Sequence, residues 1–479
     1  MSADTLPEPA DPQLYTLLAE ATRAALEYIA SLDPAKDYSY LGGHEHWRKI
    51  EWQENGLPEF SSGSKPKDYY NVLAPFGKDL PDSVAAAFQP LLTYIEGHSR
   101  LNTYFGPQVR DGDESDMRWL SIFVLVTYGD VVDRYIHLYK RTEFSEELFK
   151  ELYLQFERGF LDDHLPIDIV VPVLFTKFDF DLIELAEGIF IERMEDAFQI
   201  ARVMLAASTY RDAGLSIAPA THALVMRGWQ TRSTYHLEIS NLAHYPSSYP
   251  TDIIDRFFAA LRIAADVDTG YSQLLMRPMG WIQHSRAYLP PLEGALTRKY
   301  PARLDGRQEE PVPTISADVA AQVGQLFRAL DSTDNQKLVL AASRLNMCLL
   351  RENEVDAILD ATIGMEALLS NDSQEVIHKL SLRMAALAPL SRAVMPAPVQ
   401  VFRAMKKIYS YRSKVAHGNA PGTKEQSITI EGIGELPTLH AAVMFLRMAL
   451  SVLLEKQQYL QPEKIDEELL LGKMGPVSG

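Results

Sequence analysis

Apolar positions recur at helical spacing from Leu14 to Leu32 (LYTLLAEATRAALEYIASL). They predict an amphipathic helix behind a Pro- and acid-rich, disordered start. A Gly-, Tyr- and Pro-rich region then runs to about Pro81, breaks the period, and reads as loops with short strands. Residues 116–160 mix apolar runs with charged helical ones. From Pro166 the pattern changes to β-branched and aromatic residues, and PIDIVVPVLFTKFDFD reads as a strand. The next segment, LIELAEGIFIERMEDAFQIARVMLA, opens strand-like and turns helical from about Glu195. Residues 221–240 read as one or two strands, YPTDIIDRFFAALRIAAD as a helix, and 270–292 as strands with turns. Residues 1–310 are therefore expected to form a mixed α/β region of one or two subdomains.

Beyond the Pro- and Glu-rich QEEPVP (308–313) strands are expected to cease. Helical periodicity marks segments at about 315–331, 335–350, 353–369, 373–388, 399–416 and 437–460. Ser316, Asp334 and Asp372 stand as N-caps, Pro396 and Pro398 as breaks, and Gly418 as a stop. Six helices joined by short loops imply an α-helical bundle over 314–462, followed by a tail at 463–479. The expected class is α+β, a mixed N-terminal region followed by an all-α C-terminal domain.

Composition sharpens this division. The 479-residue chain carries a net charge of −18, which argues against general nucleic-acid binding. The charge is unevenly spread, with −17 on residues 1–314, +1 on 315–460 and −2 on the tail. A single cysteine, Cys348, excludes an internal disulfide framework and any multi-Cys zinc site. The start MSADTLPEPADPQ has no signal-peptide pattern, and the most apolar run, Trp119 to Val132, is too short to span a bilayer. A soluble, cytoplasmic protein without a membrane partner is expected.

Candidate chemistry gathers in YSYRSKVAHGNA (409–420). The helix before it has an apolar stripe of Phe402, Met405, Tyr409 and Ala416, and Arg412 falls on that stripe. Lys406, Lys407 and Lys414 fall elsewhere, as solvated positions. An arginine on a packed face is costly to desolvate unless it has an anionic partner or borders a cleft. His417 precedes Gly418, where the helix ends and a side chain can turn back towards Arg412. Between Glu375 and Glu425 lie 49 residues without Asp or Glu but with nine Lys/Arg and two His. Such a window is an electrostatic footprint for phosphate. Arg-x4-His is by itself a weak pattern. The chain holds a second, coincidental one, Arg158-x5-His164, and cations in a last helical turn also suit the helix dipole. His44 and His46 with Glu45 form the one close histidine pair, for which no third or fourth ligand is found, so no metal or other cofactor is expected.

Three ordered segments, GMEALL (364–369), KLSLRMA (379–385) and YSYRSKVAHG (409–418), resemble the ApeA-like branch of the HEPN domains over roughly 330–460. Gly364-Met365 departs from a more usual apolar pair, which touches packing and leaves the chemistry undisturbed. The resemblance implies an all-α domain that dimerises and places two Arg-x4-His motifs face to face. It also implies a metal-independent endoribonuclease of the toxin, antiphage or abortive-infection type, acting on RNA such as tRNA or mRNA. Arg412 and His417 would be the catalytic pair, with Glu366 orienting Arg412 and Ser413 as the polar residue after the arginine. Arg403, Lys406, Lys407 and Lys414 would line the RNA path, and Tyr411 would stack on bases. The acidic N-terminal region would sense a trigger, for example a phage-derived one, or restrain the nuclease. The alternative is a non-catalytic HEPN module that binds RNA, nucleotide or a partner protein.

Overall fold

The computed structural model describes residues 6–32, 47–73, 79–107, 114–208, 214–305, 312–371, 376–418 and 426–472. The first part is helical: α1 (Pro12–Ser31), α2 (Tyr69–Leu73), α3 (Asp82–Gly97), α4 (Ser99–Phe105), α5 (Glu114–Tyr139) and α6 (Glu146–Leu161). These helices bury Leu14, Leu18, Phe88, Leu91, Tyr128, Phe149 and Phe156 in a core of their own. The Gly-rich stretch contributes one hairpin, β1 (Arg48–Trp52) with β2 (Pro58–Ser62). The His44/Glu45/His46 cluster lies outside the described residues.

A six-stranded antiparallel sheet follows, in the order β5-β6-β7-β3-β8-β9. Its strands are β3 (His164–Pro172), β5 (Leu182–Ala186), β6 (Ile189–Arg193), β7 (His222–Arg232), β8 (Tyr271–Pro278) and β9 (Glu293–Lys299). The short β4 (Lys177–Phe178) lies outside the sheet. Period-two alternation on β3 sets the two faces. Leu165, Ile167, Ile169 and Val171 enter the main core, whereas Val170 packs on the other side with Met194 and Phe198, next to α7 (Asp196–Ser208). Residues 221–240 give one long strand, β7, and then α8 (Glu238–Ala243) in place of a second strand.

Helix α9 (Thr251–Ala264) covers the first of these faces. Every residue from Phe257 to Ile263 is buried, because the sheet lies on one side and the C-terminal helices on the other. Those helices are α10 (Ala317–Asp331), α11 (Gln336–Leu350), α12 (Glu354–Leu369), α13 (Val376–Leu387), α14 (Pro398–Ala416) and α15 (Thr438–Glu455). All six expected helical segments are present, and the last is shorter, closing in a 3-10 turn at Gln457–Leu460. Ser316 caps α10 as expected, while Asn335 rather than Asp334 caps α11, and Asp372 lies outside the described residues. Gly364 permits close packing of α12 on α15, since a Cβ there would stand 3.0 Å from a Leu446 methyl carbon. By length and composition α15 could cross a membrane, but it is mostly buried within this core.

Strands do not cease after residue 313. The two-residue β10 (Thr314–Ile315) pairs in parallel with β4, and a hairpin of β11 (Ser427–Ile430) and β12 (Gly434–Pro437) intervenes before α15. Nor does the core stop near residue 310. Arg262 of α9, fully buried, donates to Asn346 Oδ1 of α11 at 2.7 Å and to the Thr269 carbonyl at 2.7 Å. One apolar cluster runs from β3 through α9 to α15.

A shared core makes a testable statement. All five tryptophans precede residue 310, and Phe327 of α10 is fully buried. Phe327→Ala is expected to cost about 3–5 kcal/mol. The tryptophan-fluorescence and helical circular-dichroism transitions should shift together. A fluorescence transition left in place would show two independent units.

Candidate functional site

Helix α14 begins with Pro398 at N1 and ends where Gly418 takes φ +74°, a left-handed value that glycine supplies without strain. Its buried positions are Val401, Ala404, Met405, Ile408, Tyr409 and Tyr411. The expected stripe is thus corrected at its end, for Ala416 is exposed and the packed face drifts to Tyr411 and Val415. Tyr411 is buried, and burial first, then the charge of Glu354, raises its hydroxyl pKa. It cannot serve as the exposed base-stacking platform that the sequence suggests.

Arg412 stands at the margin of the packed face, with its side chain 35% exposed and one guanidinium nitrogen 3.6 Å from Glu366 Oε1 of α12. The expected link between Glu366 and Arg412 is present as this ion pair. Tyr409 lies beneath it. Burial, followed by the Glu366 charge, pushes its hydroxyl well above the ordinary tyrosine range. Arg412 Nε is buried and without a hydrogen-bond partner among the described residues. The ion pair is open enough to water that its contribution to stability is small. It holds the guanidinium at the surface instead of letting it wander.

His417 is the C-cap. Its backbone N–H donates to Ser413 and Lys414 carbonyls, while its side chain is exposed and makes no hydrogen bond or ion pair among the described residues. With 100° per residue, five positions put Arg412 and His417 about 140° apart around the axis. On helix geometry the two side chains leave the axis in different directions. His417 instead continues the exposed ridge of Arg403, Lys406, Lys407 and Lys414, with Lys406 Nζ 5.5 Å from the Phe402 ring centroid. Ser413 is half-buried on the flank.

The acid-free window is less cationic in space than in sequence. Arg383 is buried against Asp466 at 2.7 Å, Arg392 meets Glu455 at 3.1 Å, and Arg412 meets Glu366. Among the described residues, at least these three of its nine cations draw counter-charge from outside the window. The remaining exposed charge concentrates on the outer face of α14. The second Arg–His pattern divides similarly, since Arg158 pairs with Asp162 on α6 and His164 opens β3.

No family model, no curated protein and no solved structure matches this chain.

Sequence reasoning passed over two residues on α5. Arg134 is buried and donates to the Ala287 and Leu289 carbonyls at 3.3 and 2.9 Å. One turn earlier, Asp130 accepts the Ser285 N–H at 3.2 Å in a separate cavity of about 420 Å³. Charges set within the apolar helix WLSIFVLVTYGDVVDRYIHLY were the available signal. Burial pushes the Asp130 carboxyl up to about 8; Ser285 opposes the rise, Asp133 and Asp68 add to it, and Arg134 opposes it weakly. The folded value lies above the unfolded one. Stability is therefore lost as pH rises from about 4 towards about 8. Asp130→Asn should flatten this fall and gain on the order of 2–4 kcal/mol over wild type at pH 8, read from chemical denaturation across pH. Equal slopes for both proteins would refute the assignment.

Proposed function

We propose that the chain is a metal-independent endoribonuclease of the HEPN type, assembled from two copies meeting at the exposed end of α14. The observation that carries the reading is the surface arginine clamped by a carboxylate, Arg412 on Glu366, with an exposed His417 at the end of the same helix. The segment resemblance over α11 to α14 supports it. Because five helical positions set the two side chains about 140° apart on one helix, each half-site in this reading takes Arg412 from one copy and His417 from the other.

The chemistry follows from the groups. The RNA 2′-hydroxyl attacks its own phosphate, and the 5′-oxygen departs. His417 moves a proton at one of these oxygens, a role worth about 10²–10⁴-fold in rate. Arg412 offers a permanent, fork-shaped charge to the phosphoryl oxygens as negative charge builds there. Products are a 2′,3′-cyclic phosphate and a 5′-hydroxyl. A cellular role in abortive infection or as a toxin fits an RNA-cutting module joined to an acidic partner region.

Purified protein incubated with total RNA in EDTA should yield cyclic-phosphate ends, and His417→Ala should slow cleavage about 10²–10⁴-fold without losing dimerisation. Intact RNA with wild type, or equal cutting by the variant, sinks the catalytic reading.

One observation favours a second reading, an RNA-binding module without chemistry: Arg403, Lys406 and Lys407 form an exposed ridge that needs no catalysis to be useful. Neutralising these three to Gln should weaken single-stranded RNA binding. It should also reduce the slope of log affinity against log salt by about 2, near 0.7 per lost phosphate contact. An unchanged slope would show that the ridge does not touch phosphate.

A further inference from the structure

We infer that the cavity between the second sheet face, the β1–β2 hairpin and the loop after β8 is a binding site for a nucleotide, a planar base carrying a phosphate. It is separate from the α14 terminus. The cavity measures about 820 Å³, within the roughly 300–1,000 Å³ span of small-ligand sites. Val170, Val225 and Phe198 contribute apolar surface to its lining.

Arg134 supplies the first argument. It is 93% buried (7% exposed), lines this cavity, and has no carboxylate at ion-pair distance among the described residues. Only Nη1 is engaged, on the Ala287 and Leu289 carbonyls, and Nε is buried without a partner. A guanidinium desolvated in this way is costly unless an anion completes it. Burial lowers its pKa, and the charges of Tyr139, Asp130 and Asp133, none at ion-pair distance, oppose that fall only in part. The other cations of the lining are already engaged. Arg227 and Arg277 share Glu192 at 2.6 and 3.0 Å, and Arg193 approaches Asp181 at 3.9 Å. Of the lining carboxylates, Asp196 accepts from Trp52 Nε1 at 3.2 Å, and Glu195 lies exposed ahead of α7.

The rim supplies the second argument. Trp52 and Tyr288 line the cavity and remain 38% and 37% exposed, so their ring faces are open to a ligand. Arg193 stacks on Trp52 at 5.6 Å and Lys140 on Tyr288 at 5.2 Å, with Trp47 6.0 Å from Tyr288. Aromatic faces interleaved with cations are what a nucleobase and its phosphate require.

Backbone strain supplies the third. Three described non-glycine residues have positive φ, and two of them adjoin Tyr288 on the rim without lining the cavity: Lys140 at 54° and Ala287 at 50°. Both flank Tyr288, and Ala287 carries a carbonyl that Arg134 holds. Strain of this kind collects where a chain is shaped for a ligand.

The test titrates full-length protein with 5′-AMP, GMP, CMP and UMP, with adenosine and inorganic phosphate as separate arms, by calorimetry and tryptophan fluorescence. Saturable binding of at least one nucleotide is expected, tighter than adenosine or phosphate. Trp52→Leu and Tyr288→Leu, folded by circular dichroism, should each weaken it about tenfold or more. Arg134→Gln should erase the preference for nucleotide over nucleoside; if that variant unfolds, the two ring variants decide. His417→Ala should bind as wild type does, so a failed nuclease assay leaves this result standing. No saturable binding at millimolar nucleotide, binding indifferent to both ring variants, or phosphate binding as tightly as nucleotide would each overturn the proposal.

Discussion

Burial of α9 on all sides from Phe257 to Ile263 is the constraint on which the rest of the structure depends. Phe257, Phe258, Leu261 and Ile263 lie between the sheet and the C-terminal helices, so neither layer closes without the other. The helix carries Arg262 into that interior, which is tolerated because its guanidinium meets Asn346 and the Thr269 carbonyl. These polar bonds fix how α9 sits relative to α11, and with α11 the position of α12. Glu366 is on α12, so the placement of the Arg412 clamp traces back to a helix more than a hundred residues earlier in the chain.

The end of α14 combines two requirements that rarely coincide. Arg412 needs a rigid margin of the core, which Tyr409 and Glu366 provide. His417 needs freedom, which the left-handed turn at Gly418 provides by stopping the helix one residue later. A helix that continued would bury the histidine's surroundings in further side chains. One that stopped a turn earlier would leave the arginine without its carboxylate. The arrangement leaves the two groups on different sides of one axis, which is why a second copy enters the functional reading.

Much of this was legible in the sequence, for reasons that can be named. Helical periodicity located α10 to α15 because each keeps one face on a shared core, and Ser316 announced the start of α10 through its side-chain cap. The change to strand at β3 was visible in alternating β-branched residues. What escaped were features made by contacts distant in sequence. Continuity of the core past residue 310 arises from α9 packing on α10 and α11, and a local charge shift cannot report it. The β11–β12 hairpin is four residues on each side and has no period long enough to detect. Tyr411 looked available because it neighbours lysines, yet the helix turns it inward. Pairing of Arg383, Arg392 and Arg412 with Asp466, Glu455 and Glu366 offsets part of a window that reads as purely cationic along the chain.

The division of the core between early and late segments also orders events during synthesis. The sheet, complete at Lys299, and α9 leave the ribosome well before α14, by about 100 residues or more, roughly 5–20 s at ordinary elongation rates. During that interval α10 and α11 are already made and can cover α9, but the layer they begin is unfinished until α14 and α15 follow. The Arg412 clamp cannot exist until the interval ends. Whatever the α14 terminus does, the chain acquires that capability last, after the acidic N-terminal part that accompanies it has been made.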